Sequence, residues 1–445
     1  MHRPFLRQAF RSGLSCPHWR YDMNTDTYEA KTRASAAVRK HVNIIYALVQ
    51  GFYWMSYCCS ASFAAVYLQF RGYSNTGLGL ILASGFVLGF FIPQFLASLI
   101  DRFETVTAAR CIGAVFAVQT LLVLGLMQFP GASPAVSLLY IIFLGLVITV
   151  NPMNTQLCGE LSLRFGRLNY GAARGTGSII FAPSAVFVGR LLERLSPSIL
   201  PAADILCILI QALTLLFLSS YARRAEVSLK NADNAPAPEE PGAPSASAPV
   251  SGRQGRGHDF FTFLRENRRF AALLPGIALL FFAHNMIGNY LINVVRNVGG
   301  DTSDMGTLSG FTACLEIPMM FLYDRITRKI PCARTIRFAA AVFSIKAFAI
   351  SQARSMAGLY AANLLQSCSF AIITPGMVRY VFLHIAPEDS AKGQSLAFGM
   401  VTLGNVLSSL AGGLLYHSLP VRTVLLAGFF ISLAGTLICV IFTEK

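Results

Sequence analysis

The sequence predicts an all-α membrane protein of 12 transmembrane helices in two pseudo-symmetric six-helix bundles, and three observations carry that prediction. The 445 residues are 54% hydrophobic and only 13% charged, with a mean hydropathy of +0.55. A soluble domain carries about 25% charged residues, so this chain lacks the charge to solvate its own surface. From Val42 onward, long apolar runs alternate with short polar breaks, and one long polar break divides the chain near its middle. Each spanning helix needs about 20 apolar residues, so a dozen would use about 240 positions, close to the whole hydrophobic complement. A soluble enzyme with a membrane anchor is excluded, and little mass remains for an extramembrane catalytic domain.

Residues 1–41 are polar and basic, without an apolar core of signal-peptide length. They are expected to form a disordered cytoplasmic extension, with Met23 as an alternative start. The expected spans run near 42–69, 76–100, 107–128, 135–160, 173–192 and 199–221, forming an N-terminal bundle over 42–221. A second set runs near 270–295, 305–324, 333–352, 355–384, 391–416 and 420–442, forming a C-terminal bundle over 270–445. Between them, residues 222–269 centre on a Pro, Ala, Ser and Gly-rich stretch that cannot bury a core and reads as a flexible linker. Pro93, Pro152, Pro183, Pro275 and Pro375 fall inside spans, where neighbouring helices can satisfy the backbone groups that proline frees.

The net charge of +15 would suggest nucleic acid in a soluble protein. Its distribution points elsewhere. With the N-terminus inside, about 29 Lys and Arg fall in inner segments and about 6 in outer loops, the positive-inside pattern. Both termini and the linker are therefore expected in the cytoplasm, the chain in the plasma membrane, and no nucleic acid as partner. The halves also repeat one another. Asp101-Arg102 and Asp324-Arg325 each follow the second span of their half at an offset of 223, and Pro152 and Pro375 share it.

Charged residues inside spans are costly and therefore informative. Glu316 lies mid-span, where an acidic side chain costs about 2.5–3.5 kcal/mol on insertion scales. In such a medium a carboxylate is suited to taking up and releasing a proton; the alternative is a structural ion pair. Lys346, in the ninth span, falls within about 4–5 Å of the same depth at 1.5 Å per residue, so it reads as the partner of Glu316 unless it snorkels to an interface. Tyr46, Gln50, Tyr53 and Tyr57 recur at helical spacing in the first span, with Trp54 beside them. Asn285, Asn289 and Asn293 do so in the seventh, with His284 at the edge; Asn151, Asn154 and Gln156 occupy the fourth, and Asn363 and Gln366 the tenth. Singly, such amides serve as interhelical glue; on four helices at similar depth they predict a wetted cavity. Arg174, opening the fifth span, reads as a bidentate clamp for a hydroxyl-rich or anionic solute, or else as an anchor at a helix end. Gly85 with Gly89, and Gly306 with Gly310, have the spacing of close helix packing. The ten cysteines show no zinc or redox spacing, and no phosphate loop or hydrolase signature occurs, so no enzyme activity, cofactor or metal is expected.

Taken together, the duplicated six-helix halves and their Asp-Arg turns resemble the major facilitator superfamily, and the local motifs resemble its lactose permease and relatives, including the oligosaccharide/proton symporter and phenylpropionate permease branches. Ser74-Asn75-Thr76-Gly77 opens the second span as a Ser-x-Thr-Gly element does there. Tyr170-Gly171-Ala172-Ala173-Arg174-Gly175-Thr176-Gly177 is similar to the stretch holding that family's substrate-binding arginine, which implies that role for Arg174. Cys314-Leu315-Glu316 is similar to the stretch of the essential eighth-helix glutamate, and Lys346 stands where the ninth-helix arginine is found. Gln156, Phe181, Met319, Gln366 and Ser369 replace the family's fourth-helix glutamate, fifth-helix tryptophan, eighth-helix asparagine and tenth-helix histidine and glutamate, while His284 falls near its seventh-helix tyrosine. The resemblance implies a monomeric secondary transporter, taking a small organic solute with protons by alternating access. Glu316, Lys346 and His284 would serve proton coupling. Arg174, Gln156, Tyr46, Gln50, Tyr53, Tyr57, Asn285, Asn289, Gln366 and Phe181 would serve the solute, and Asp101, Arg102, Asp324 and Arg325 the gating loops. An exporter of amphipathic compounds and a non-transporting sensor remain the alternatives.

Overall fold

The computed structural model describes residues 24–103, 105–166, 168–233 and 259–444. Twelve long helices account for nearly all of them. In the first half these are α1 (Asn24–Tyr57, continuing through a π-turn Cys58–Ser62 into Ala64–Phe70), α2 (Asn75–Arg102), α3 (Ala108–Met127), α4 (Pro134–Phe165), α5 (Tyr170–Arg194) and α6 (Leu200–Asp233). The second half holds α7 (Arg268–Asn289, continued by Leu291–Asn297), α8 (Thr302–Ile326) and α9 (Cys332–Gln352). It is completed by α10 (Met356–Asn363, a 3-10 segment Leu364–Cys368, then Phe370–His384), α11 (Ser390–Ser418) and α12 (Val421–Phe442). These match the expected spans closely, and no strand occurs among the described residues.

Two boundaries differ from expectation. Helix α1 begins at Asn24, so the end of the segment expected to be disordered is helical; its run of Ala with Glu29, Lys31, Arg33, Arg39 and Lys40 consists of good helix formers. Helix α6 runs on to Asp233, well past the expected span end, again through Ala, Arg, Glu and Lys. Residues 1–23 and 234–258, including Met23 and the core of the expected linker, lie outside the described residues.

The interior prolines are tolerated as expected: α2, α4, α5 and α7 each continue through theirs, as does the long segment of α10. Helix starts follow capping chemistry. Ser74, Thr107, Ser133 and Asn169 accept backbone N–H groups at the starts of α2 to α5, and Asp301 with Asp304 forms a reciprocal capping box on α8. Among the described residues, nine helices are long and apolar enough to cross a membrane. The three that fall short are α1, α8 and α9, the helices that carry the tyrosine stripe, Glu316 and Lys346.

How the halves meet positions the site. Helix α5 packs on α8 and α2 on α11, both across the boundary between halves. Glycine permits the contact: a Cβ at Gly306 would lie 2.3 Å from the Ala185 carbonyl oxygen, and one at Gly310 2.6 Å from that of Ala182. Gly85 and Gly89 instead pack α2 onto Leu144 and Ile148 of α4, within the first half. The apolar core of the first half continues into Tyr290, Val294, Met305, Leu359 and Tyr416 of the second, all at the end of the bundle opposite the chain termini. A separate cluster around Phe270, Ile277, Phe343 and Tyr380 fills the second half towards the termini.

Candidate functional site

An amide network closes the bundle at the end opposite the termini. Gln69 donates to Asn75 (3.0 Å) and to Asn293 (2.7 Å), and Asn293 donates to Asn75 (3.1 Å). Asn75 in turn donates to the Tyr416 carbonyl, and Arg296 to Gln69 (3.1 Å). Gln69 and Asn293 lie 224 residues apart and join the two halves across the seam. This seal was not expected from sequence beyond the placement of Asn293 in a polar stripe. A polar residue at the tip of a helix has no periodicity to distinguish it from a loop.

At the opposite end the expected gating residues are not engaged. Asp101, Arg102 and Arg325 are exposed, and none forms an ion pair among the described residues. Arg102 stacks instead on Phe103. The side chain of Asp324 lies outside the described residues. Among the described residues the hydrogen bonds between the halves lie at the sealed end, the arrangement that one limb of alternating access requires.

Between the ends, the α5–α8 seam sets the depth of the charged groups. The pair Ala182–Gly310 defines the antiparallel register, which carried six residues further places Glu316 opposite Thr176, two residues from Arg174. The charges of both Arg174 and Lys346 act on the Glu316 carboxylate. Glu316 and Lys346 do not form the direct bridge expected from their depths. Gln366 stands between them: its Nε2 donates to Glu316 Oε1 (2.7 Å), and its Oε1 accepts from Lys346 Nζ. An amide suits this position because it presents an acceptor to the cation and a donor to the carboxylate. Gln366 is delivered by the 3-10 segment that interrupts α10, an irregularity that sequence periodicity does not reveal. Lys346 is only 5% exposed, whereas Glu316 is partly buried.

His284 makes no hydrogen bond to these groups among the described residues, although the charge of Lys346 acts on its ring. Its ring stacks on Phe370 (5.1 Å between centroids) and meets Phe343 (5.7 Å) and Phe281 (6.4 Å) edge-on, an apolar cage with no hydrogen-bond partner described. Asn285 beside it is half-buried and without a described partner. Asn289 is a structural amide, donating to Asn405 (2.8 Å) and Ser409 (2.9 Å) of its own half.

The tyrosine stripe of α1 divides into two. Tyr46 and Gln50 are fully buried: Tyr46 donates to the Asn154 carbonyl (2.9 Å) and accepts from Gln50 (2.9 Å), bracing α1 to α4. They are corrected from solute contacts to a brace, because the stripe's lower turns face α4 rather than the seam. Tyr53, Trp54 and Tyr57 form an aromatic group with centroids 5.1–6.1 Å apart. The Arg174 guanidinium lies 4.0 Å above the Trp54 ring, and its charge reaches both tyrosines. Phe181 packs against the core of the first half instead of offering a free ring. Gln156 is half-buried on α4. Gln50 Oε1, Trp54 Nε1, Asn151 Oδ1 and both side-chain heteroatoms of Asn154 are buried without a protein partner, a set of donors and acceptors on α1 and α4. Among the described residues no group of three His, Cys, Asp or Glu is placed to hold a metal.

The chain is 24% identical to the maltose permease of Geobacillus stearothermophilus over 317 residues, 69% of this chain and 73% of that protein. Its fold matches a crystal structure of the nucleoside transporter NupG, with a TM-score of 0.69 at 12% identity, covering 92% of this chain and all of that one. It also matches the POT family transporter PepTSo, with a TM-score of 0.66 at 9% identity over 90% of this chain and 97% of that one. The model of the MFS_1 like family matches residues 42–426. The twelve-helix bundle is thus an integral membrane protein of the MFS_1 like family, a transporter of the major facilitator type.

Proposed function

We propose that the protein is a proton-coupled symporter that carries a small, hydroxyl-rich solute, a saccharide, by alternating access. The observation that carries the proposal is the Gln366-bridged pair Glu316 and Lys346 on the second half, set at the depth of Arg174 on the first. Three groups able to compete for one carboxylate give a coupling device. With Glu316 ionised, Arg174 and Lys346 both draw on it; with Glu316 protonated, Arg174 is released to the solute. Glu316, the less buried of the pair, is the group that exchanges the proton, while Lys346 stays buried and sets the electrostatic background.

The solute class follows from the wall. An aromatic surface of Tyr53, Trp54 and Tyr57 suits the apolar face of a sugar ring. Arg174, with the partly buried Gln156 of α4, suits its hydroxyls. The maltose permease relative supports the same class. The basic inner segments support a plasma-membrane protein with both termini cytoplasmic, working as a monomer, with solute, protons and lipid as its partners and Asp101, Arg102, Asp324 and Arg325 engaging when the termini end closes.

The test is disaccharide uptake into proteoliposomes of the full chain. An inward proton gradient is expected to drive accumulation, and Glu316→Gln to abolish it while leaving counterflow exchange intact. Accumulation retained in Glu316→Gln would refute the coupling. Gradient-driven efflux of amphipathic cations in place of sugar uptake would support the exporter reading instead.

A further inference from the structure

A second buried carboxylate, Asp204, lies in α6 near the sealed end and plays no part in the site above. It is 4% exposed. Its Oδ1 lies 2.8 Å from the hydroxyl of Ser60, which is itself fully buried in the π-turn of α1. The same hydroxyl lies 2.8 Å from the Ser56 carbonyl oxygen. A serine hydroxyl has one hydrogen, and a backbone carbonyl can only accept. If that hydrogen goes to Ser56, the contact with Asp204 needs a second hydrogen, and the carboxyl is the group able to supply it. If it goes to Asp204, two oxygens face each other at 2.8 Å with nothing between them.

The surroundings favour the first arrangement. Cys58, Cys59 and Tyr67 of α1, Tyr140 of α4 and Cys207 of α6 are the titratable groups that face Asp204. None is cationic. Arg71, the next cation along α1, directs its guanidinium to the Tyr67 hydroxyl (2.6 Å) and to the Leu126 and Phe129 carbonyls. A buried carboxylate without a cation is expensive, and an un-ionised carboxyl avoids that cost.

The π-turn so held sets the phase of α1. Tyr57 lies in the aromatic group beside Arg174 and Gln69 faces the seal, twelve residues further on. At about 100° per residue an unbroken α-helix would turn these side chains about 120° apart. The i to i+5 bond from Phe63 N to Cys58 O absorbs one residue, which brings them within about 20° of one face. Tyr140 steadies the turn by donating to the Ser60 carbonyl (2.7 Å).

We infer that Asp204 is a second proton-binding site, whose bound proton bridges α6 to Ser60 and holds the π-turn that keeps Gln69 in register with the seal. The inference is independent of the role given to Glu316. It is tested by infrared spectroscopy of the full chain in lipid, in a Glu316→Gln background so that the carboxyl of the site above is silent; Asp389, also buried, is paired with Lys392. The carbonyl stretch of an un-ionised carboxyl is expected at neutral pH and is lost in Asp204→Asn. Absence of the band in the parent, or its survival in Asp204→Asn, overturns the inference. Ser60→Ala retains Asp204 and removes its partner, so the band is expected to shift to higher frequency; an unshifted band there overturns it equally, even if Asp204→Asn fails to fold. A proton bound in the folded state and free in the unfolded one makes stability fall as pH rises. The melting temperature of the wild type is therefore expected to fall relative to Asp204→Asn as pH rises from the ordinary carboxyl range through neutrality, and parallel curves across that whole range would overturn the inference.

Discussion

Adding one methyl group at Gly306 is expected to open the sealed end of the bundle, because Gly306 packs directly on the backbone of α5. A Cβ there would sit 2.3 Å from the Ala185 carbonyl oxygen and 2.9 Å from Gly189 Cα, both backbone atoms of the other half. A comfortable carbon–oxygen contact begins at about 3.3 Å, so the helices must part by about 1 Å. Overpacking of this kind costs about 1–3 kcal/mol. Here the cost falls only on the state in which these backbones touch. The equilibrium between sealed and open states should then shift by about 5-fold to about 150-fold. Asn285→Cys, at a partly buried position of α7, reports the shift when the chain's other cysteines are replaced. Its labelling by a membrane-impermeant thiol reagent, applied from the face opposite the termini, is expected to quicken by that factor in Gly306→Ala. Gly85→Ala is the control: its Cβ would meet the Leu144 side chain at 2.7 Å within one half, so it strains the first bundle without touching the seam. Equal labelling rates in Gly306→Ala and its parent, with the protein still folded, would refute the reasoning, as would equal acceleration by Gly85→Ala.

Other substitutions probe the remaining parts of the site. Gln366→Leu removes two hydrogen bonds to charged groups, each worth about 1.5–3 kcal/mol, and is expected to lower the midpoint of thermal unfolding unless Lys346 swings to Glu316 directly; combining it with Lys346→Met and Glu316→Gln should restore much of the loss. Arg174→Lys keeps the charge but loses the planar stack on Trp54, worth about 0.5–2 kcal/mol, so solute affinity measured by counterflow should fall by about 2-fold to about 30-fold. Asn293→Ala removes hydrogen bonds to Gln69 and Asn75, each worth about 0.5–1.5 kcal/mol, and should accelerate labelling of Asn285→Cys in the same sense as Gly306→Ala. His284→Phe, in the cage of Phe281, Phe343 and Phe370, is expected to leave proton-driven uptake within a factor of about 2; its loss would return His284 to the proton path.

The sequence by itself determined that this chain lives in a bilayer, how many helices it has, and that its halves are duplicates, because those properties are written in composition and in runs of about 20 apolar residues. It also singled out Glu316, Lys346 and Arg174, since a charge among apolar residues stands out in one dimension. It could not settle which way the polar residues of one stripe turn. Tyr46 and Gln50 share a spacing with Tyr53 and Tyr57, yet the first pair faces α4 and the second faces Arg174. Nor could it place Gln366 between the two charges, because that depends on a local 3-10 segment in α10. The seal of Gln69, Asn75 and Asn293 and the contact of Ser60 with Asp204 join residues more than a hundred positions apart. Helical periodicity reports how a side chain is phased within its own helix, whereas partners across helices are chosen by how the bundle packs. Only the tertiary structure could decide those.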